Sequence, residues 1–594
     1  MNSYPRILYL LLTVGILSSS HSIFAQENTT HQSGTKEMRI NLFKQKFSDQ
    51  EDVKINYKNI DSQGEIRLYR EQGAFPLKLS DTIRGNSGSL NLGKLSAGEY
   101  SVKYYIGNVA SPISIKFEVE PSPFVLEPGD IKMAIFSDPH VMAHEIIKKE
   151  GSLSERELRS DRKLLRESED ILDAVLNDIK QQKPRLILIP GDLTKDGELI
   201  SHKRIIEKLE PLRKSGIPIL VIPGNHDIND PNAAIFDGDS KEQTPTVSPQ
   251  EFASLYAHYG YESALVKDKN SLSYIAEPIK DLVIVGLDGN LYKENLFTSK
   301  GDSRNLNNSG GRLNDSTLKW LDLELGKLDK DKTIFVMIHH NVIEHFAHQA
   351  QYLPLYVLKN NDALIDILFK HHVKLLFTGH FHACDVAVLK SNEGKVLYEI
   401  ETGSTITYPC PYRLLNYSPN RGLIAYQTRL VRDTPMRYSP SRTLPFQEQI
   451  YKSLTETMPQ IIEWQVINMF DKIKQRMATD AEVAQFSQDD VSKIARIFKQ
   501  NLGGLAVKLI LTHYEGNEHL LYIPNIETDI EQAIQKSVKE YFPQNSDAYF
   551  GLIMQRLKNS KTYMQAMEAL HSMLDNRPNK DARVLDDLNG IIRF

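Results

Sequence analysis

Five short polar blocks follow one another along the chain: Asp138-Pro139-His140, Gly191-Asp192, Gly224-Asn225-His226-Asp227, His339-His340 and Gly379-His380-Phe381-His382. Each block comes directly after a short apolar run, such as Arg185–Pro190 before the second block and Thr333–Ile338 before the fourth. Short apolar runs that end in polar loops are typical of buried strands. Ligands of open α/β sheets collect at the carboxyl ends of the strands. The pattern therefore predicts an α/β sheet whose loops bring the five blocks together.

The side chains of these blocks are typical metal ligands. They include two carboxylates, one amide oxygen and at least four imidazoles. Oxygen and nitrogen ligands suit borderline divalent metals, and two metals about 3.5–4 Å apart are used for in-line displacement at phosphorus. Any one block alone can be an ordinary polar turn. All five in order indicate a two-metal centre that hydrolyses phosphoesters.

The five blocks resemble the calcineurin-like metallophosphoesterase superfamily, whose pattern is Asp-x-His, Gly-Asp, Gly-Asn-His-Asp/Glu, a lone His and Gly-His-x-His. The resemblance covers about residues 131–432. The stretches GDLTKDGE at 191–198, GNHDIND at 224–230 and HHN at 339–341 look most like the cyclic-nucleotide phosphodiesterase branch, especially bacterial members with a helical C-terminal extension. The resemblance implies an α/β fold in which two sheets pack face to face with helices outside.

The resemblance also implies two divalent metal ions, which we expect to be Mn, Fe or Zn. Carried over residue by residue, it gives three ligands to each metal and one shared carboxylate: Asp138, His140 and His382 for the first, Asn225, His339 and His380 for the second, and Asp192 between them. His340 is the alternative to His339. A hydroxide held between the metals would attack the phosphorus atom.

Two further residues have implied catalytic roles. His226 would stabilise the phosphoryl charge or protonate the leaving oxygen. Asp227 would either orient the His226 ring or cap a loop. Purple acid phosphatases have a Tyr where this chain has Lys195, and the usual 5′-nucleotidase block has Glu-Phe where this chain has Asp227-Ile228. Both departures disfavour those branches. Lys195 could contact a substrate phosphate or face solvent.

Composition limits the choice of partners. The chain has 594 residues, 25% of them charged, and a formal net charge of -5. This charge gives no general attraction to nucleic acid, so the expected partner is a small phosphoester and not a nucleic-acid polymer. No oligomeric state is predicted. The two cysteines, Cys384 and Cys410, could form a disulfide or be buried free thiols.

The N-terminal residues predict a signal peptide at 1–25, because Arg6 precedes the apolar run Ile7–Ile16 and Ala25 offers a small residue before a cleavage site. We therefore expect an exported protein, periplasmic or secreted. No later segment is apolar enough to predict a membrane anchor.

Three domains are expected after the signal peptide. Residues 37–122 alternate apolar and polar residues, as in Val53-Ile55-Tyr57, and predict an immunoglobulin-like β-sandwich in which Tyr100 could form a tyrosine corner. Residues 130–435 hold the metallophosphoesterase domain, after a hinge at Pro121–Pro123. Residues 445–594 predict an all-α domain, because apolar residues recur at helical spacing, for example over Ile461–Ile473.

These observations predict an exported dinuclear phosphodiesterase that hydrolyses small phosphodiesters, with cyclic nucleotides as candidates. A phosphomonoesterase or nucleotidase of the same superfamily is the first alternative. A non-catalytic surface binding protein on this scaffold is the second. A scaffold has no need to keep seven metal-binding side chains, so the ligand set favours an enzyme.

Overall fold

The computed structural model describes residues 39–594 except for residues 43, 50, 62–63, 71–74, 78, 80–82, 84, 107–108, 121–124, 160, 296–308, 436, 438–443, 453, 457–486, 517, 519–520, 522, 524 and 576–585. The predicted signal peptide, the hinge at Pro121–Pro123 and the apolar pattern of Ile461–Ile473 lie outside the described residues. Among the described residues, no helix has the length and apolar character needed to cross a membrane.

The chain forms two compact units. The first contains residues up to Val125 together with residues 458–512 and 517–563. The second contains Leu126–Thr457, His513–Gly516 and Met564–Phe594. The C-terminal part is thus divided between the units, whereas the sequence predicts one helical domain there. The predicted domain limits stay a prediction.

The N-terminal part of the first unit is a β-sandwich. One sheet has the order β1 (Arg39–Leu42), β3 (Asp52–Lys58), β5 (Ser87–Lys94), and the other has the order β2 (Lys46–Ser48), β7 (Val109–Glu120), β6 (Gly98–Ile106), β4 (Glu65–Arg70). Alternate residues of both sheets, including Val53, Ile55, Leu68 and Val102, are buried in one core. The Tyr100 hydroxyl donates to the Ser96 carbonyl at 2.7 Å, as in a tyrosine corner.

The C-terminal region is mainly helical. Its helices with defined bounds are Gln488–Asn501, Gly503–Glu515, Ile526–Tyr541, Ser546–Lys558 and Lys561–Leu574. The structure adds one strand to the predicted helices, β23 (Asn589–Arg593), which pairs with β22 (Leu423–Leu430) and places Ile592 opposite Ile424. The last residues of the chain therefore belong to a sheet of the second unit.

Two large mixed sheets form the second unit. One has the order β11 (Ile219–Val221), β10 (Leu186–Ile189), β8 (Ile131–Ile135), β21 (Pro411–Ser418), β22, β23. The other has the order β14 (Val266–Lys267), β15 (Tyr274–Ile279), β16 (Leu282–Leu287), β17 (Thr333–Ile338), β18 (Leu375–Thr378), β20 (Val396–Glu401), β19 (Asp385–Lys390). The two sheets pack on each other: the Phe335 ring on β17 of one sheet lies 5.1 Å from the Tyr417 ring on β21 of the other. The predicted double-sheet α/β fold is confirmed.

Helices cover these sheets. They are Ser152–Arg159, Ser168–Gln182, Leu199–Lys214, Pro249–Leu255, Asp315–Leu325, Gln349–Tyr352 and Asn361–Lys370. Leu321 and Leu368 from two of them are buried in one core with Val336 and Leu376 of the seven-stranded sheet. A small sheet of order β13 (Ser240–Gln243), β12 (Ala234–Asp237), β9 (Ile147–Lys149) completes the unit. Cys384 and Cys410 are free and buried.

Candidate metal centre

The five polar blocks lie just after the ends of five strands in the second unit. The blocks follow β8, β10, β11, β17 and β18, and β10 is buried at each of its four residues. The three strands β8, β10 and β11 run parallel to one another, as do β17 and β18. Their carboxyl ends therefore deliver the loops to one region between the two sheets.

The backbone of these loops is strained where it carries the candidate ligands. Five of these residues have positive φ angles: Asp138 (50°), His140 (34°), Asp192 (49°), His380 (70°) and His382 (70°). Side-chain-bearing residues seldom adopt such angles, and each costs on the order of 1–3 kcal/mol. Strain concentrated at polar residues is typical of a functional site, because the chain must turn sharply to aim several side chains at one point.

Two glycines of the blocks are required by close approach. A Cβ atom added at Gly224 would overlap the Asp192 carboxylate, and one added at Gly379 would overlap Ser137 and the Asp138 carboxylate. The glycines thus let the backbone of one block pass directly against the carboxylate of another. Gly191 is restricted in the same way, because an added Cβ atom would lie 2.7 Å from His339 Nδ1. Close approach therefore accounts for the glycine in each of the three blocks that begin with one.

The first cluster contains Asp138, His140, Asp192 and His382. One ligand atom from each lies within 4.8 Å of the others, and all four residues are buried. His140 Nε2 lies 3.2 Å from His382 Nε2 and 3.5 Å from Asp192 Oδ2. His382 Nε2 lies 3.4 Å from Asp138 Oδ1. Four donor atoms thus converge on one point.

The second cluster contains Asp192, His339 and His380, whose ligand atoms also lie within 4.8 Å of one another. His339 Nε2 lies 3.4 Å from Asp192 Oδ2 and 3.2 Å from Asn225 Oδ1. Asp192 is therefore common to both clusters. The structure brings all seven residues with predicted ligand roles together, and it places His339 in the cluster. His340 instead meets the Ser309 carbonyl through Nε2 at 3.0 Å.

Hydrogen bonds outside the clusters fix the ring orientations. His339 Nδ1 lies 2.8 Å from the Pro190 carbonyl, so this nitrogen carries the proton and donates it. His380 Nε2 is 3.0 Å from the Leu355 carbonyl in the same way. His382 Nδ1 is 3.0 Å from Thr407 Oγ1. In each ring the other nitrogen can act as a ligand once it has lost its proton, as metal-binding histidines require.

The electrostatics of the clusters suit cations. Burial raises the pKa of Asp192, but the neighbouring His339, His226 and His140 rings outweigh it and hold that pKa well below its usual value. Burial lowers the pKa of His339, yet Asp192 outweighs it and raises that pKa to about 9. The ionised Asp192 thus draws positive charge into a dry site. This donor set and charge fit divalent metals, with a shared carboxylate between two positions.

His226 lies beside the first cluster and is held by a carboxylate. Its ring is 5.0 Å from the His140 ring, and its side chain is 23% exposed. His226 Nδ1 lies 3.1 Å from Asp196 Oδ1 and 3.6 Å from Asp230 Oδ2. Burial and Lys163 lower the pKa of His226, but the carboxylates of Asp192 and Asp196 have the larger, opposite effect, so the pKa is raised overall. The carboxylates of Asp192 and Asp196 therefore stabilise the protonated form of the ring.

Of the two roles considered for Asp227, its contacts fit the loop cap and not the orientation of the His226 ring. The Asp227 carboxylate accepts hydrogen bonds from the Leu193 N–H (3.0 Å), the Thr194 N–H and hydroxyl (both 2.9 Å) and the Gly224 N–H (2.8 Å). All of its hydrogen bonds among the described residues go to these groups. Asp227 therefore ties the second block to the third, and Asp196 has the role of holding His226.

Lys195 is neither exposed nor available to a substrate. Its side chain is 3% exposed, and Nζ pairs with Asp196 and with Glu157 Oε1, the latter at 3.0 Å. Its charge balances the carboxylate that holds His226. Asp196 follows Lys195 in the stretch GDLTKDGE, and no signal in the sequence distinguishes it from the other carboxylates near His226.

A second buried network anchors the loops that carry His339 and His380. Glu399 on β20 is fully buried and accepts five hydrogen bonds. The donors are Asn341 Nδ2 (3.0 Å), the Val342 N–H (3.0 Å), the Ile343 N–H (2.7 Å), His345 Nε2 (3.2 Å) and Thr378 Oγ1 (2.9 Å). These donors come from the loop after β17 and from the end of β18. One carboxylate thus joins the two ligand-bearing segments, which sequence reasoning missed.

Comparison with known proteins agrees with this geometry. Residues 131–384 match the family model described as Calcineurin-like phosphoesterase. The predicted resemblance to the calcineurin-like metallophosphoesterases is therefore confirmed over these residues. The matched residues include all five polar blocks.

More distant relatives were also found. A Synechococcus sp. protein named a probable cyclic nucleotide phosphodiesterase is 24% identical over 213 residues, which are 35% of this chain and 62% of that protein. The match thus spans less than two thirds of the relative. Among solved structures, a dimetal phosphatase from Danio rerio is 16% identical, with a TM-score of 0.38 over 52% of this chain and 99% of its own. A purple acid phosphatase from yellow lupin (Lupinus luteus) seeds is 12% identical, with a TM-score of 0.33 over 67% and 72%.

Proposed function

We propose that this protein is a dinuclear metal-dependent phosphodiesterase that hydrolyses small phosphodiesters, cyclic nucleotides among them. One observation carries the proposal: Asp192 belongs to both ligand clusters, with Oδ2 3.5 Å from His140 Nε2 and 3.4 Å from His339 Nε2. A carboxylate shared in this way is what two adjacent metal positions require. The similarity to a protein named a probable cyclic nucleotide phosphodiesterase supports the diester preference.

Asp138, His140, His382 and Asp192 would hold one ion, and His339, His380 and Asn225 would hold the other together with Asp192. Two divalent ions bound there activate a water molecule at neutral pH and neutralise phosphoryl oxygens. The protein itself fixes the direction of the ligands, because their outer nitrogens are bound to Pro190, Leu355 and Thr407. The buried loops exclude bulk water from the ligand atoms.

His226 is proposed as the proton donor to the leaving oxygen. Asp196 holds its Nδ1 at 3.1 Å, so Nε2 is the nitrogen available to a substrate; among the described residues it makes no hydrogen bond. A phosphodiester must lose an alkoxide, which is a poor leaving group unless it is protonated as it departs. A histidine held by a carboxylate at the partly exposed side of the centre fits this task.

We also propose that the protein is exported, since Arg6, the apolar run Ile7–Ile16 and Ala25 together have the pattern of a cleaved signal peptide. Mass spectrometry of the mature protein from the cell envelope or medium tests this. A first residue near Gln26 is expected, and an intact Met1 in the cytoplasmic fraction would contradict it.

A substrate panel tests the proposed activity. The metal-depleted protein is loaded with Mn, Fe or Zn and assayed with cyclic nucleotides, glycerophosphodiesters and phosphomonoesters. We expect turnover of diesters with kcat/KM at least tenfold above that of the matched monoesters. A monoester preference would support the phosphomonoesterase alternative. No turnover with any loaded metal would support the non-catalytic binding protein.

A further inference from the structure

Two aromatic rings stand next to the candidate metal centre and remain partly exposed. Phe381 is the residue between the ligands His380 and His382, and Tyr356 follows Leu355, whose carbonyl orients His380. The Tyr356 ring lies 4.9 Å from the His380 ring and 4.8 Å from the Phe381 ring. Both side chains are partly exposed, and Leu355 beside them is 48% exposed. The Tyr356 and Phe381 rings thus form a partly exposed aromatic surface beside the candidate metal centre, called the aromatic wall below.

Buried residues pack against the Phe381 ring of the aromatic wall. The Phe381 ring is 5.1 Å from the His513 ring and 6.2 Å from the Phe346 ring, and both of these residues are buried. The Phe381 N–H also donates to the Gly379 carbonyl at 2.8 Å. The ring therefore cannot swing away without disturbing packed neighbours. A rigid, partly exposed ring loses little conformational entropy when another ring stacks on it.

A cation borders this wall. The Arg162 guanidinium interacts electrostatically with Tyr514, Tyr356 and Asp161. Its Nε is buried and has no hydrogen-bond partner among the described residues. The Arg162 segment is fixed to the centre, since the Leu164 N–H donates to the Ile406 carbonyl at 2.7 Å next to Thr407, which binds His382. A buried N–H without an acceptor is costly, and an acceptor atom of a ligand would remove that cost.

We propose that Tyr356, Phe381 and Arg162 form a subsite for a planar aromatic group of the substrate, such as a nucleobase, with the ring against the aromatic wall and an acceptor atom toward Arg162. This inference rests on the proposed function and narrows it to nucleotide-like or aryl diesters. A nucleobase offers both features that the subsite requires, a π face and acceptor atoms at its edge. A glycerol or choline group offers no π face.

The expected effect follows from the strength of stacking. Alanine substitutions at base-stacking aromatics weaken binding by about 5- to 150-fold. We therefore expect Phe381→Leu and Tyr356→Leu to raise KM for 3′,5′-cyclic AMP by a factor in that range. KM for glycerophosphoethanolamine, a diester without a ring, should change less than about twofold. The control is Phe369→Leu, a partly buried ring packed on the core of the seven-stranded sheet, which should leave both KM values unchanged.

Metal content of each variant is measured alongside, because Phe381 lies between two candidate ligands. Equal KM changes for both diesters at unchanged metal content would overturn the subsite.

Ligand binding separates this inference from the proposed activity. Calorimetry with AMP and with ribose 5-phosphate compares two phosphates that differ in the base. The subsite predicts that AMP binds about 5- to 150-fold more tightly, and that Phe381→Leu removes this preference. A preference without any turnover would keep the subsite and reject the proposed hydrolysis. Turnover of diesters with equal affinity for the two phosphates would keep the hydrolysis and reject the subsite.

Discussion

Replacing His226 by alanine tests the proton-donor role most sharply. The ring is 3.1 Å from Asp196 and 5.0 Å from the His140 ring, and it lies outside both ligand clusters. General acid catalysis is worth roughly 10²- to 10⁴-fold in rate, which is about 2.8–5.6 kcal/mol of barrier at 1.4 kcal/mol per tenfold. His226→Ala should lose this factor on cyclic AMP, whose leaving group is a sugar alkoxide. Metal content should stay unchanged.

Replacing Asp196 by asparagine should have a smaller effect of the same kind. The variant keeps the shape but removes one charge-assisted hydrogen bond to His226 Nδ1. Such a bond is worth about 1.5–3 kcal/mol, so the rate should fall by roughly 10- to 150-fold. The optimum pH should move downward, because Asp196 is one of the groups that raise the pKa of His226.

The assay compares two leaving groups. Each variant is tested with cyclic AMP and with bis-p-nitrophenyl phosphate, since p-nitrophenolate departs without a proton. The exposed His258, whose side chain is 61% exposed, provides His258→Ala as the control. The predicted result is a loss at least tenfold larger on cyclic AMP. Equal losses on both substrates would refute general acid catalysis, and loss of one metal ion would make His226 a ligand.

Further predictions concern stability and the network behind the ligands. Ile592→Ala should lower the free energy of unfolding by about 2–5 kcal/mol, because the Ile592 side chain in β23 is only 2% exposed. The control Ile591→Ala, at a site 49% exposed, should lower it by less than about 1 kcal/mol. Equal losses for the two variants in urea titrations would contradict this packing. Glu399→Gln should weaken metal binding by about 10- to 100-fold in a metal titration, and Glu393→Gln, 75% exposed, should not; an unchanged affinity would refute the anchoring role. Burial is the main cause that raises the pKa of Glu401 from 4.5 to about 8. Between these two pH values the folded protein keeps a proton on Glu401 that the unfolded chain releases. The free energy of unfolding therefore falls as the pH rises from 4.5 to about 8, by up to about 1.4 kcal/mol per pH unit. Glu401→Gln should flatten this fall in denaturant unfolding measured across that range, and an unchanged slope would show that Glu401 ionises normally.

The clustering of the candidate ligands could be predicted from the sequence because its signal is local. Each block sits within a few residues of the end of an apolar strand, and the strand fixes where the block goes. Asp192 and His339 are far apart in the chain, yet β10 and β17 deliver them to within 3.4 Å. The glycines before Asp192, Asn225 and His380 belong to the same local signal, since close packing of the loops requires them.

The supporting residues could not be predicted because their partners come from distant segments. Glu399 looks like an ordinary residue of β20 until the fold brings the loop after β17 against it. Asp227 and Asp196 are both polar loop residues near His226, and only the folded loops decide which carboxylate meets the ring. The strand β23 was missed for the same reason, because five residues near the chain end form a strand only when β22 offers its edge.

Metal analysis of the purified protein tests the central claim most directly. The wild-type chain, loaded and then freed of excess metal, should contain two divalent ions by mass spectrometry. Asp192→Asn, which replaces the shared carboxylate with a neutral amide, should lower that content and remove most turnover. Two ions per chain and normal turnover in Asp192→Asn would contradict the account.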